Sequence, residues 1–150
     1  MKKTLSKFII LFIIGAFALF VLIQLVPYGR AHTNPPVVQE PQWDSPQTRE
    51  LMQRACFDCH SNETVWPWYS NIAPVSWLVQ RDTDEGREKL NFSEWGRGEQ
   101  EVDEIFEVVK EGEMPLPIFL ITHPEARFTP VETEALIAGI LATFGSGDDD

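Results

Sequence analysis

Apolar residues along this chain fall into three patterns, and each predicts a different element. From 8 to 26 they form a run without a single charge, close to the ~20 residues a membrane-spanning helix needs and longer than the ~7–15 of a signal-peptide core. Residues 27–45 carry few apolar side chains but hold Pro27, Pro35, Pro36 and Pro41. Proline at that density favours extended, semi-rigid chain, so a spacer is expected there. From 46 to 145 the apolar positions recur at helical spacing, which predicts one all-α domain.

Within that domain the first helix starts at Pro46, with Asp44 or Ser45 as its cap and Leu51 and Ala55 as its apolar stripe. Pro67 and Pro74 preclude a long helix between 61 and 74. A short helix is expected over 75–81, followed by a new cap at Asp82 or Thr83, then helix or turn as far as Trp95. The clearest amphipathic helix spans 99–111. Val102, Ile105, Phe106 and Val109 recur on one face, acidic side chains lie on the other, and Gly112 closes it. The last helix opens on a capping box, Thr129 with Glu132, with Pro130 at its first position. Ala135, Leu136, Ile140 and Phe144 are its buried stripe, and Gly139 within it marks a close helix crossing. Residues 146–150 read as an acidic tail.

Charge changes this picture in one respect. The formal net charge of the 150 residues is −11, and Lys2, Lys3 and Lys7 before the apolar run make the remainder more acidic still. Nucleic acid is thereby excluded as a partner; the acidity fits a partner with a basic docking face and equally a surface that serves solubility alone. By the positive-inside rule the same lysines keep residues 1–7 in the cytoplasm and place everything after 26 outside it. A cleavage site after Ala31 is a poor match, so an uncleaved single-pass anchor is expected. The sequons at Asn62 and Asn91 read as chance matches. The acidic stretch 82–86 lacks the glycine position and closing glutamate of a calcium loop.

The candidate chemistry lies at 56–60, Cys-Phe-Asp-Cys-His, which contains the only two cysteines of the chain. On a helix, positions i, i+3 and i+4 share a face, so Cys56, Cys59 and His60 would point the same way. Two thiols can then bond the two vinyl groups on one haem edge while the imidazole binds the iron, which is the C-x-x-C-H attachment pattern. A redox dithiol would open a helix, where the dipole lowers a thiol pKa, whereas this pair closes one. A zinc site would need further ligands at short spacing, and His32 and His123 are far apart. His32 reads as a solvated linker residue. A backbone carbonyl within 61–74 is the expected acceptor for the outer nitrogen of His60, and the aromatic residues of that loop are expected to cover the haem. For the second axial ligand Met114 leads, since Pro115 holds it in extended geometry on a stiffened loop. His123 is the alternative, with a local hydrogen bond in its turn as the competing role.

Taken together, Cys56–His60, the stretch 62–77 with its Trp-Pro-Trp-Tyr-Ser-Asn-Ile-Ala-Pro core, and Gly112-Glu113-Met114-Pro115 resemble the bacterial haem-binding domain family, which is c-type-cytochrome-like. The resemblance spans 46–144. It implies one haem c joined through Cys56 and Cys59, His60 as proximal ligand, Met114 at the family's Met-Pro position, and first and last domain helices in contact. Ala138-Gly139 depart from the bulkier residues expected there. The expected function is a membrane-anchored monohaem electron carrier, not an enzyme, in the bacterial cytoplasmic membrane with its haem domain in the periplasm and redox proteins as partners. The alternative is a haem-based gas sensor or small haem enzyme with an open distal site. Trp66, Trp68, Trp77, Arg54, Arg81 and Arg97 are candidate donors to the haem propionates.

Overall fold

The computed structural model describes residues 2–97, 100 and 102–145. The acidic tail at 146–150 and part of the start expected for the 99–111 helix therefore lie outside the described residues. Those described are all-α: α1 (Lys2–Ile23), α2 (Pro46–Ala55), α3 (Phe57–His60), α4 (Val75–Lys89), α5 (Asp103–Lys110), α6 (Phe119–Thr122) and α7 (Pro130–Phe144). Two 3-10 turns join them, Trp68–Asn71 and Pro124–Ala126. The chain divides into two compact units, Met1–His32 with Trp66–Asp82, and Thr33–Val65 with Thr83–Asp150.

In the first unit, α1 carries a 20-residue apolar span, Thr4–Ile23, with mean hydropathy 2.7 and no part buried. It is compatible with single-pass membrane anchoring. Helical geometry starts before the charge-free run and stops at Ile23, short of 26, because Pro27 cannot continue a helix and restricts the residue before it. His32 is not a solvated linker residue. Its Nε2 lies 3.0 Å from Ser70 Oγ and 3.2 Å from Ser70 O, and its ring stacks on Trp66 at 4.6 Å.

Residues 75–89 form one helix of 15 residues rather than a short helix and a new cap. Thr83, expected at a helix start, is 1 % exposed. Gly86, which propensity alone would use to end a helix, sits where only a glycine fits. An added Cβ would lie 2.5 Å from the carbonyl oxygen of Cys59. Tertiary contact has overridden the local signal.

The second unit is built on α2 and α7. Ser45 caps α2, its hydroxyl accepting from Thr48 N–H at 3.1 Å, and Pro46 occupies the first position. The capping box at α7 is complete, with Glu132 Oε2 accepting from Thr129 N–H at 2.8 Å. The two helices cross where Gly139 meets Thr48, whose side chain an added Cβ would overlap. Gly139 is thus explained by the crossing, and the first and last helices of the domain are in contact. In α5, Ile105 and Val109 are buried while Val102 and Phe106 pack against the same cluster. Gly112 follows with φ +74, the left-handed geometry of a helix stop.

The proline-rich segment is extended; residues 33–39 stay exposed while hydrogen-bonding to the domain, and burial begins at Glu40 and Pro41. Val38 N–H donates to Ser93 O at 2.8 Å, and Gln39 pairs with Glu94 in an isolated bridge. Trp43 inserts among Phe92 (5.4 Å), Phe144 (5.8 Å) and Phe57 (6.2 Å). Trp43→Ala should therefore cost about 3 kcal/mol, the lower part of the range for removing a large aromatic because this ring is only partly buried. A denaturant titration would show this as a lower midpoint, and an unshifted midpoint would place Trp43 outside the core. The two sequons are indeed chance matches as folded. Asn62 is 3 % exposed, and its Oδ1 accepts from Asn91 Nδ2 at 3.0 Å.

Glu132 ties α7 to α2 through Arg54 at 2.7 Å. The Thr129 N–H, then the Arg54 guanidinium and the Thr129 hydroxyl, hold its carboxyl down at about 2, against an ordinary 4.5. A carboxylate depressed on folding contributes stability above its unfolded value and loses that contribution as pH falls through the folded one. Between about pH 4.5 and 2 the melting temperature should fall less steeply in Glu132→Gln than in the parent. Parallel curves across that window would rule the linkage out.

Candidate functional site

The helix leading into the Cys-x-x-Cys-His stretch does not run straight through it. α2 ends at Ala55, Cys56 takes φ −121 and ψ −33, and a single turn, α3, follows. Phe57 supplies a reason. In a continuous helix at 100° per residue, position 57 would face away from the stripe set by Leu51 and Met52. The break turns its ring inwards, where it stacks on Phe92 at 5.6 Å and is buried. The turn keeps its own hydrogen bonds, with Cys59 N–H and His60 N–H both donating to Cys56 O, at 3.2 and 2.9 Å.

A cleft of about 250 Å³ opens beside this turn, entirely within the second unit. Cys56, His60 and Met114 all line it, although Met114 lies 54 positions beyond His60 in sequence. Its walls are apolar, formed by Met52, Leu90, Phe92, Ile105 and Val109, and its charged side chains are Lys89, Glu104 and Glu113. Cys59 is not among the lining residues. It is half-buried, with its carbonyl against Gly86.

His60 is oriented from α4 rather than from the 61–74 loop. Its Nδ1 lies 3.0 Å from Gly86 O and 3.1 Å from Leu90 O. Both are acceptors, which assigns the proton to Nδ1 and leaves Nε2 with its lone pair. Burial lowers the imidazole pKa, with Lys89 adding to the effect and the Leu90 and Gly86 carbonyls opposing it. A neutral ring with a fixed tautomer is the form a metal needs. The acceptors are thus carbonyls of α4 and of the residue after it, not of the 61–74 loop. There Trp66 is stacked on His32 and Trp68 is 76 % exposed.

Burial, with Cys59 adding, pushes the Cys56 thiol up to about 12. Reactive dithiols have depressed thiol pKa values, so this environment is the opposite of a redox pair's. Among the described residues no three His, Cys, Asp or Glu side chains gather to hold a metal ion.

Met114 leaves α5 just after its stop, its N–H donating to Val108 O at 3.0 Å. His123 is not among the lining residues of the cleft. Its ring stacks on Phe119 at 3.9 Å, and its Nδ1 lies 3.1 Å from both Phe119 O and Thr122 Oγ1. Arg54 is engaged by Glu132 and lies over Phe128 at 5.3 Å. Arg97 pairs with Glu94 at 3.6 Å, and Arg81 and Trp77 belong to the first unit with Trp66 and Trp68. Of the cations, Lys89 lines the cleft. Sequence reasoning missed it because a break and a new cap were expected at Asp82 or Thr83, with helix or turn beyond, in place of one continuous helix. A helix reaching 89 places Lys89 three positions beyond Gly86, whose carbonyl orients His60.

An imidazole with an anchored outer nitrogen, a thioether and a thiol around an apolar cleft are the donors and surroundings that an iron porphyrin requires. Searches among curated proteins and among solved structures return no match. The sequence model of a family described as a haem-binding domain does match, over residues 18–142. That match takes in every residue of the cleft, so the chemistry of the lining and the family pattern agree: this chain belongs to the haem-binding domain family.

Proposed function

We propose that this protein is a monohaem c-type electron carrier. In this reading Cys56 and Cys59 would hold one haem c through thioether bonds, His60 and Met114 would supply the nitrogen and sulfur donors to its iron, and the domain works outside the cytoplasmic membrane from the α1 anchor. The single observation that carries the reading is that Cys56, His60 and Met114 line one apolar cleft. The bound group would supply one-electron redox chemistry. The chain's own part is to hold His60 through the Gly86 and Leu90 carbonyls, to present the Met114 sulfur, and to exclude water with Leu90, Phe92 and Val109. Lys89 lines the cleft and would meet a propionate there. With both His60 and Met114 given to the iron, no donor position would be left for a substrate, so no enzymatic activity is proposed. Lys2, Lys3 and Lys7, in the first turns of α1, keep that end in the cytoplasm, and the acidic residues of 83–145 suit a redox partner with a basic docking face.

The test is maturation of the full chain in a host that attaches haem to exported cysteines. The parent should gain the mass of one haem and keep a haem stain through denaturing electrophoresis, and Cys56→Ser with Cys59→Ser should lose both. A parent that emerges at the bare polypeptide mass overturns the assignment. Ready binding of carbon monoxide by the reduced parent would favour a sensor or small haem enzyme instead.

A further inference from the structure

The first unit is almost free of acid in a strongly acidic chain. Its two segments, Met1–His32 and Trp66–Asp82, contain one of the chain's 23 acidic residues, Asp82 itself. From 66 to 80 there is no charge of either sign. This stretch nevertheless leaves large apolar side chains in the open: Trp68 at 76 % exposure, with Ile72, Val75 and Leu78 also exposed. An acidic protein that keeps one surface neutral and apolar is holding it for an apolar partner.

Its position identifies that partner. Gln24, the first residue past α1, grips Ala73 from both sides: its Nε2 donates to Ala73 O at 2.9 Å, and its Oε1 accepts from Ala73 N–H at 3.0 Å. Arg30 Nη2 donates to the same Oε1 at 3.0 Å. At Gly29, φ is +80 and an added Cβ would overlap the carbonyl of Ser76, so the chain there lies directly on the start of α4. The 20 residues of Thr4–Ile23, at about 1.5 Å each, span roughly the 30 Å of a hydrocarbon core. Gln24 therefore falls at the edge of the bilayer, and whatever is hydrogen-bonded to it falls there too. Tryptophan and short apolar side chains are what that layer takes up, the indole body among acyl chains and its N–H among headgroups.

We infer that the Trp68–Asn71 turn and the exposed side of the first turns of α4 rest in the lipid interface, as a second, in-plane contact with the membrane that carries α1. The Gln24–Ala73 clamp sets its depth. The low acid content of the unit removes the repulsion that an anionic leaflet would exert on the rest of the domain. This inference rests on the reading of α1 as the anchor.

The test uses the full haem-loaded chain in nanodiscs of phosphatidylcholine with phosphatidylglycerol, one nitroxide at a time, at Trp68→Cys, Leu78→Cys, Ala18→Cys and Glu107→Cys. Two positions on the face guard against a label that disturbs the turn. The ratio of collision with oxygen to collision with a neutral nickel chelate reports depth. Ala18→Cys should read as hydrocarbon and Glu107→Cys as water, with Trp68→Cys and Leu78→Cys several-fold above Glu107→Cys. If Ala18→Cys is in lipid but the two labels on the face do not both exceed Glu107→Cys, the inference is overturned and the anchor stands. If Ala18→Cys is itself aqueous, the anchor reading fails first. Dipolar broadening between two chains in one disc would assign the face to a second copy and equally overturn the proposal.

Discussion

Gly86→Val should yield a chain that neither melts cooperatively nor retains haem, and Gly86→Ala a folded chain weakened by about 1–3 kcal/mol, the usual cost of forcing a small group into a packed site. At position 86 a Cβ would lie 2.5 Å from the Cys59 carbonyl oxygen, 3.0 Å from its carbon and 3.2 Å from its Cβ. Neither side can retreat cheaply. The Gly86 carbonyl accepts from Leu90 N–H at 2.9 Å and faces His60 Nδ1 at 3.0 Å, so moving α4 away would loosen the imidazole. Alanine should stabilise a helix interior by ~1 kcal/mol over glycine; the opposing sign expected here is what makes the substitution diagnostic. Thermal melts with the haem-to-protein ratio read both effects. If Gly86→Ala melts at or above the parent, α4 does not lie against the Cys59 backbone.

Met114→Ala should leave the haem covalently attached and change nearly everything else about it. The axial position opposite His60 would open, the sulfur-to-iron charge-transfer band would vanish, carbon monoxide would bind readily to the reduced form, and the reduction potential would fall. Axial ligation tunes haem potentials over about 0.8 V in all, and methionine lies towards the upper end. His123→Ala should alter none of these, since that ring is held by Phe119 and Thr122 within its own turn. An unchanged charge-transfer band in Met114→Ala would remove Met114 from the iron. A band lost in His123→Ala instead would transfer the role. The pair of variants thus separates an electron carrier with both axial positions filled from a sensor with one open.

What the sequence by itself determined was whatever depends on residues within a few positions of each other. The caps at Ser45 and Thr129, the prolines that follow them, the stripe from Val102 to Val109 and the stop at Gly112 are all local. Each is a hydrogen bond or a steric limit that a short peptide already contains, and each is present in the fold. The Cys56–His60 pattern and the apolar run within α1 are legible for the same reason. So was the crossing at Gly139, because a glycine inside a helix has to be explained by something packed against it.

Tertiary structure decided the rest, through contacts between residues that no window in the sequence joins. It placed Met114 in the same cleft as His60, made the end of α4 rather than the 61–74 loop the holder of that imidazole, and brought Lys89 to the cleft. It carried a helix through Gly86 against that residue's own propensity, because the Cys59 backbone fills the space a side chain would take. It also drew the proline-rich segment onto the domain through Trp43, and His32 onto Trp66 and Ser70. Propensity ranks what a segment prefers alone by tenths of a kcal/mol per residue, whereas burying one large aromatic side chain is worth several times that. Where the two disagreed in this chain, burial prevailed.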